Sequence, residues 1–405
     1  ANADCHKPDV MPAKAGTHAR VSARDDGFGK KCLIKRVRRR SLLASVGLVL
    51  AAVLLGPSVA TAQLKPDTAG IETREIEVRA RPIARFWRSE DGATAAGRSR
   101  LEWRGGLVLT SPSPYFGGWS GLALAPDGQS FVAVSDSGVW MTGEIAYDGN
   151  RPQAFRAVRL GALLNRRGKP LEKERERDAE AVALISGTPL KGTAYIAFEQ
   201  ADRIGVFPID KGDLGRPSSY LTMPKEAARM RMDGIEALAV LAGGPNAGAP
   251  VAFAEHPLRG EKIHRAWIWI AGVPRGFTVR GVDGYGITDA AGLPDGSVLV
   301  LERRFRWLEG LRVRLRRLDA AAIRPGAAAT GEILLEARYG SAEIDNLEAL
   351  AVSQDADGET VVTLMSDDNY ARFLQRTLLL QFTLKDEAVA EATEAGKRGA
   401  SDPKR

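Results

Sequence analysis

Acidic side chains recur at a fixed spacing along this 405-residue chain. In three stretches, an apolar segment that holds an acid is followed by a glycine-rich turn and by a second apolar segment that ends in an acid. Nineteen positions separate the two acids each time, and the pairs are Glu180 and Glu199, Glu236 and Glu255, and Glu348 and Asp367. Equal spacing with matched flanking residues indicates an internal repeat.

Two shorter copies of the repeat share a Pro-Asp-Gly turn, a sequence typical of a tight hairpin. Aligned on that turn, Asp289 takes the inner-acid position, where the first copy has Gly121, and Asp136 and Glu302 take the strand-end position. The repeat thus predicts two groups of acids. The inner group comprises Glu180, Glu236, Asp289 and Glu348, with Asp178 and Asp345 beside it. The strand-end group comprises Asp136, Glu199, Glu255, Glu302, Asp367 and Asp368.

Carboxylates gathered in one place repel one another, and burial raises their pKa values, so bound cations or basic partners are expected among them. Both cysteines and two of the four histidines lie within the first 62 residues, which leaves oxygen atoms as the main ligands. Sites made only of oxygen favour Ca²⁺, with Mg²⁺ or Mn²⁺ behind it. The predicted calcium ligands are Asp178, Glu180, Glu236, Glu255, Asp289, Glu302, Asp345, Glu348, Asp367 and Asp368.

Three residues are candidates for a direct part in catalysis. Asp136 and Glu199 are carboxylates that can serve as a general base, and Arg303 can hold an anionic group through paired donors. The sequence also permits a purely structural reading. Each acid can accept backbone N–H bonds and lock one repeat to the next, and Arg303 can form an ion pair with Glu302 or another acid.

The length of the repeat, several strands per unit, predicts an all-β chain folded as a β-propeller. Continuous apolar runs such as "FVAV", "VLVL" and "VVTL" are typical of strands buried on both faces. Five repeats are recognisable, and segment 71–118 supplies strands for a sixth blade. We therefore predict six blades, in a ring closed by pairing of these N-terminal strands with 377–384. A repeat-free sandwich is the alternative fold.

The chain outside the repeats divides into three further parts. Residues 1–29 have no pattern and are interpreted as an over-extended start or a disordered leader. Residues 30–62 resemble a signal peptide, with a basic stretch, an apolar stretch too short to span a membrane, and Ala-Thr-Ala before Gln63. The propeller domain is expected to span 63–386, and 387–405 to be a disordered tail.

Export and charge together restrict the partners. The signal predicts a periplasmic or secreted protein, and Arg39-Arg40 is consistent with the twin-arginine route; an uncleaved membrane anchor is the alternative. Residues 1–62 hold eleven Lys/Arg and four Asp/Glu, which accounts for the whole net charge of +7. The neutral body predicts no nucleic-acid binding. We expect a monomer, without stable membrane insertion after signal cleavage.

Several motifs resemble those of the exported bacterial phytase-like family, described by an esterase-like activity. The matching segments are "FGGWSGLAL" (116–124), "AVSDSG" (133–138), "DAEAVAL" (178–184), "FEQ" (198–200), "GIEALAV" (234–240), "LVLERRF" (299–305), "DNLEALAV" (345–352) and "SDDNY" (366–370). The resemblance implies a β-propeller and points toward phosphoester hydrolysis. The family tends to have Glu-Gly where this chain has Glu-Ala.

The leading functional hypothesis is an exported hydrolase that uses a metal ion to cleave phosphate or other ester bonds of a small anionic or ester substrate. Two alternatives remain open at this stage. One is a non-enzymatic binding propeller of the cell envelope that calcium stabilises, and the other is a calcium-dependent lactonase.

Overall fold

A computed structural model describes residues 65–68, 70–88, 100–200, 203–225, 234–257 and 260–385. The predicted leader 1–29, signal peptide 30–62 and tail 387–405 lie outside the described residues. Within the described ranges, no helix is both long and apolar enough to cross a membrane.

Five antiparallel β-sheets make up nearly all of the described chain, with strands numbered here in chain order. Sheet 1 has the order β1 (Arg74–Glu75), β7 (Arg151–Ala162), β6 (Val139–Asp148), β5 (Ser130–Ser135), β4 (Trp119–Leu124). Sheet 2 has the order β11 (Asp213–Leu214), β10 (Arg203–Asp210), β9 (Lys191–Phe198), β8 (Ala179–Thr188), with β12 (Ser219–Tyr220) also on β10.

The other three sheets repeat this plan. Sheet 3 has the order β13 (Ile235–Val240), β14 (Pro250–Ala254), β15 (Ile263–Ile270), β16 (Val273–Arg280), β20 (Ala328–Ala329), the last pair parallel. Sheet 4 has the order β17 (Gly286–Gly292), β18 (Val298–Arg306), β19 (Gly310–Leu318), β21 (Glu332–Arg338). Sheet 5 has the order β2 (Arg79–Ile83), β3 (Leu101–Thr110), β24 (Thr377–Leu384), β23 (Thr360–Asp367), β22 (Asn346–Gln354). One helical turn, α1 (Glu174–Arg177), and a 3-10 turn (Ala320–Ala322) lie between strands.

The sheets are the blades of a closed propeller. Strands β4, β8, β13, β17 and β22 are the innermost, and each contacts the next in this order, with β22 contacting β4. One apolar cluster fills the space between each pair of neighbouring sheets. The predicted β-propeller is therefore confirmed, and the continuous apolar runs are strands buried between two blades.

The predicted count of six blades was wrong, because segment 71–118 forms no blade of its own. Strands β2 and β3 join sheet 5, where β3 pairs with β24 from Leu109 opposite Thr377 to Leu101 opposite Leu384. Strand β24 is buried along almost its whole length and needs a hydrogen-bonded neighbour on each side. The pairing of N- and C-terminal strands that was predicted to close the ring does occur, and it completes the fifth blade.

Candidate active site

A one-residue bulge interrupts the start of every innermost strand. The ladder to the second strand of the sheet shifts register between Trp119 and Gly121, and at the equivalent point of the other four sheets. A bulge leaves its extra residue unpaired and re-aims that side chain. The extra residues, here called the bulge ring, are Ser120, Glu180, Glu236, Thr288 and Glu348.

A second ring comes from the ends of the second strands. Asp136 and Glu199 follow β5 and β9, and their N–H groups donate to the carbonyls of Gly118 and Asp178 at 3.1 Å. In sheets 4 and 5 the ladder itself pairs Arg303 with Gly286 and Asp367 with Asn346. The five residues at this position, here called the strand-end ring, are Asp136, Glu199, Glu255, Arg303 and Asp367.

Both rings line one cavity of about 290 Å³, here called the acidic mouth. The remaining lining residues are Lys65, Asp178, Gln200 and Asn369. Eight carboxylates thus face two cationic side chains, Lys65 and Arg303. A buried apolar layer lies two positions further along the innermost strands and comprises Leu122, Val182, Leu238, Ala290 and Leu350. These five residues line a separate apolar cavity of about 530 Å³.

Nine of the thirteen residues proposed from the sequence meet in the acidic mouth. They are Asp136, Asp178, Glu180, Glu199, Glu236, Glu255, Arg303, Glu348 and Asp367. The structure places the other four, Asp289, Glu302, Asp345 and Asp368, outside the lining of this cavity.

In sheet 4, each acid that the alignment on the Pro-Asp-Gly turn selected lies one residue away from the corresponding position in the bulge ring or the strand-end ring. The bulge residue is Thr288, and Asp289 points into the protein, where it accepts the N–H groups of Ala290 (2.8 Å) and Leu350 (2.7 Å). Burial raises the pKa of Asp289 well above its usual range, and the bond to Leu350 joins β17 to β22. Asp289 therefore locks one blade to the next, as the structural reading of the repeat proposed.

Glu302 likewise lies one position before the strand-end ring. Its side chain is fully buried and forms a two-pronged ion pair with Arg316, Nε to Oε2 at 2.8 Å and Nη2 to Oε1 at 2.5 Å. Burial raises the pKa of Glu302, and Arg316 offsets part of that rise. The pair joins β18 to β19, and side chains alternate along a strand, so Arg303 is directed to the acidic mouth instead.

The two remaining acids organise loops beside the mouth. Asp345 accepts the N–H of Asn346 at 3.1 Å and the N–H of Arg376 at 3.2 Å. Asp368 accepts the N–H of Tyr370 at 3.0 Å and that of Gly118 at 3.3 Å. Neither carboxylate lines the cavity that the rings share.

The sequence pattern did not identify Lys65, Ser120, Gln200 and Thr288 as lining residues. Ser120 and Thr288 have a recognisable signal, since each lies six residues before the proline of a Pro-Asp-Gly turn. Lys65 has none, because it precedes the repeats. Its segment is held by the buried side chain of Thr68, whose Oγ1 accepts from Arg177 at 3.2 Å, and by Ile71 in the core between sheets 5 and 1.

The strongest candidate for a cation site is formed by Asp178, Glu180 and Glu199. One carboxylate oxygen from each lies within 4.8 Å of the others. Burial, with Asp178 next in effect, raises the pKa of Glu180 well above its usual range. Burial together with Asp178 and Glu255 raises the pKa of Glu199 to about 7. The three groups are brought together at an electrostatic cost that a bound cation would offset, so this donor set fits Ca²⁺.

Two more acids of the mouth lie where burial and neighbouring carboxylates disfavour their ionised form. Burial and the charge of Glu180 raise the pKa of Glu236 well above its usual range. Burial and the charge of Glu348 do the same for Asp367. Among the residues that the structure describes, neither Glu180 nor Glu236 has an ion-pair partner. The two basic residues of the mouth therefore form no ion pair with either of these acids.

Lys65 and Arg303 compensate opposite parts of the mouth. The Nζ atom of Lys65 lies 3.2 Å from both Asp136 Oδ2 and Asp178 Oδ1. Burial opposes the charge of Lys65, but these two acids raise its pKa above the usual value. Arg303 Nη1 lies 2.8 Å from Glu348 Oε1 and also bonds Asn346, while its Nη2 lies 3.8 Å from Glu255.

Two neighbouring glycines allow the chain to turn beside Asp136 and Asp368. Gly117 and Gly118 have φ angles of +143° and +67°, which favour glycine. A Cβ on Gly118 would lie 2.5 Å from Asp136 Oδ1, and one on Gly117 would lie 2.5 Å from Asp368 Oδ1. The Tyr370 ring packs against the same turn, and its hydroxyl bonds Ser137 at 2.6 Å. The "FGGWSG" and "SDDNY" motifs thus form one support for the strand-end ring.

Comparison with known proteins agrees with the motifs that line the mouth. A family model described as phytase-like, esterase-like activity of phytase, matches residues 114–370. This range contains every residue of the bulge ring and the strand-end ring, whereas Lys65 precedes it. A comparison with curated proteins finds no match.

Proposed function

Because the chain belongs to the phytase-like family, we propose that it is a hydrolase of phosphate or other esters, assisted by Ca²⁺, with the acidic mouth as its active site. The observation that supports this most directly is the meeting of Asp178, Glu180 and Glu199 within 4.8 Å, in a cavity where eight carboxylates face two cations. The ammonium of Lys65 lies 3.2 Å from Asp178 Oδ1, so a positive charge is accommodated beside this carboxylate, which supports the same proposal.

The cation would be held by Asp178, Glu180 and Glu199, with Glu236 beside them. When bound, it supplies Lewis-acid polarisation of the ester and a lowered pKa for the attacking water. Burial and Asp178 raise the pKa of Glu199 to about 7 in the metal-free protein, and a bound cation would lower it again, so Glu199 is assigned as a ligand. Asp136, which also lines the mouth, is the carboxylate proposed to accept the proton of that water.

Arg303 is the residue proposed to bind the anionic part of the substrate. Its guanidinium lies in the lining of the mouth, with Nη2 no closer than 3.8 Å to the Glu255 carboxylate. A phosphate or carboxylate oxygen at Nη2 would therefore gain a charge-assisted hydrogen bond without breaking the 2.8 Å bond to Glu348. A small anionic or ester substrate fits a cavity of about 290 Å³.

The proposal is tested by assaying the purified protein against aryl phosphates, phytate, aryl carboxylic esters and lactones, with calcium and after chelation. We expect ester hydrolysis that chelation abolishes and calcium restores. Turnover that chelation leaves unchanged would contradict the metal-assisted mechanism. A rise in melting temperature with calcium but no turnover on any substrate would favour the non-enzymatic binding propeller, and turnover of lactones alone would favour a lactonase.

Replacing Lys65 with methionine is expected to tighten calcium binding about tenfold. The substitution removes a positive charge 3.2 Å from two mouth carboxylates, and even a screened repulsion of about 1.4 kcal/mol corresponds to a factor of ten in affinity. Isothermal titration calorimetry measures the affinity directly. Lys65→Arg, which keeps the charge, and Lys169→Met on an exposed turn are the matched controls. An unchanged or weaker affinity in Lys65→Met would show that Lys65 does not compete with the cation.

A further inference from the structure

Large apolar side chains are exposed at one end of two neighbouring blades. Phe305 lies near the end of β18, and the others lie on the connections β18–β19, β21–β22 and β23–β24, namely Trp307, Leu308, Tyr339, Phe373 and Leu374. Leu308 is 92% exposed and Leu374 is 76% exposed, and Phe373 is fully exposed. Scattered apolar residues on a surface are ordinary, but six at one end of two neighbouring blades, here called the apolar patch, are a candidate interaction surface.

This patch is at the end of the propeller where the acidic mouth opens. Arg303 lines the mouth, and Phe305 lies only two residues further along the same strand, roughly 7 Å away. On the neighbouring blade, Asn369 lines the mouth and Phe373 follows in the same connection. Whatever the patch binds is therefore held against the face that carries the proposed active site.

A basic cavity of about 570 Å³ adjoins the apolar patch. Its charged lining consists of Arg81, Arg85, Arg88 and Arg376 against a single acid, Glu343. Glu343 bonds both Arg88 and Arg376, and Arg376 Nε also lies 3.4 Å from Asp345 Oδ2. Within the described ranges, Arg81 and Arg85 have no ion-pair partner, so arginines outnumber acids in the described lining. Arg376, which lines the cavity, follows Leu374 of the patch by only two residues, so the cavity and the patch lie next to each other along this connection.

Among the described residues, no acid pairs with Arg372, which lies beside the patch. Arg372 precedes Phe373 and donates to the backbone carbonyls of Ser113 at 2.9 Å and Phe116 at 2.6 Å. Carbonyl partners fix the side chain without neutralising its charge. The connection therefore presents Phe373 and Leu374 directly after a guanidinium group that no described acid pairs with.

We propose that this basic–apolar surface docks on an anionic lipid bilayer. Phenylalanine, leucine and tryptophan at protruding positions suit insertion into the headgroup region, and adjacent arginines suit lipid phosphates. The apolar side chains protrude at separate points and range from half exposed to fully exposed. A fluid bilayer accepts separate protruding side chains without matching a fixed shape. Attachment is peripheral, and it directs the acidic mouth toward the membrane.

The test is sedimentation of the purified protein with vesicles of phosphatidylcholine alone or with 30% phosphatidylglycerol, at low and high salt. We expect binding to the anionic vesicles that salt weakens. Leu308→Asp/Phe373→Asp should lower the partition coefficient at least tenfold, and Arg81→Glu/Arg85→Glu should remove the preference for anionic lipid. Val273→Asp, exposed at the opposite end of blade 3, is the control and should bind as the unmodified protein does.

Several outcomes would overturn the proposal. One is failure of the unmodified protein to bind anionic vesicles. Another is binding that Leu308→Asp/Phe373→Asp leaves intact, and a third is equal binding to neutral vesicles. A dimer in solution that Leu308→Asp/Phe373→Asp dissociates, with no vesicle binding, would assign the patch to a second copy of the chain. The changed residues are exposed, and unchanged melting temperatures will verify that the variants fold. None of these measurements depends on the hydrolase proposal.

Discussion

Glutamine at both Glu180 and Glu236 will abolish measurable calcium binding and lower hydrolysis by about a hundredfold or more, while raising the melting temperature of the calcium-free protein. These two carboxylates are neighbouring members of the bulge ring, and no basic residue of the described chain forms an ion pair with either. Their removal takes away the charge that attracts the cation, and about 2.7 kcal/mol of lost transition-state stabilisation corresponds to a hundredfold in rate.

The opposite effect on stability has the same cause. Burial and mutual repulsion raise the pKa values of Glu180 and Glu236, which means that folding is opposed when these groups are ionised. A neutral amide of the same size removes that penalty. Two measurements are therefore needed: calorimetric titration of the protein with calcium, and thermal unfolding of the calcium-free protein.

A matched double variant, Glu172→Gln/Glu174→Gln, changes two exposed acids near α1 and should alter neither quantity. If Glu180→Gln/Glu236→Gln kept calcium-dependent turnover, the cation would have to bind elsewhere. If it lost stability, the two acids would be structural after all.

The repeat in the sequence was enough to predict the ring, but not the number of its blades. Five hairpins carry the spacing of acids or the Pro-Asp-Gly turn, and the structure has five blades. The error came from segment 71–118, whose strands look like any others. Strand β3 joins sheet 5 because the buried strand β24 needs a hydrogen-bonded neighbour at its otherwise free edge. This contact is tertiary, and the spacing of the acids along the sequence does not reveal it.

Residues of the candidate site could be predicted from the sequence where the bulge residue is itself an acid, as at Glu180, Glu236 and Glu348. In sheet 4 the bulge residue is not an acid. Asp289 was chosen because it is acidic, whereas the register puts Thr288 at the bulge and Arg303 at the strand end. A shift of one residue reverses the direction of a side chain on a strand, so the two acids next to these positions serve the core instead. Lys65 comes from a segment outside the repeat, and only the folded chain brings it to Asp136 and Asp178.

Methionine in place of Arg316 is expected to destabilise the protein by about 3–5 kcal/mol, the range for a buried charge that loses its partner. Glu302 and Arg316 are both fully buried, and Arg316 also donates from Nη1 to the carbonyl of Arg280 at 3.1 Å. Without the guanidinium, the Glu302 carboxylate can remain buried only by taking up a proton, so its pKa in the folded variant rises further above the unfolded value of about 4.3.

The sign of the pH dependence follows from that rise. A carboxyl whose folded pKa is raised binds its proton more tightly in the folded state, so the variant loses stability as pH increases from about 4.3 through the folded pKa. The stability difference from the unmodified protein should therefore be larger at pH 8 than at pH 5, as urea denaturation at the two pH values will measure. Glu302→Met/Arg316→Met removes both charges and should recover most of the loss. A loss of stability that is independent of pH would contradict this account, as would a loss that the double variant does not relieve. Either result would mean that Arg316 contributes through packing and through its bond to the carbonyl of Arg280.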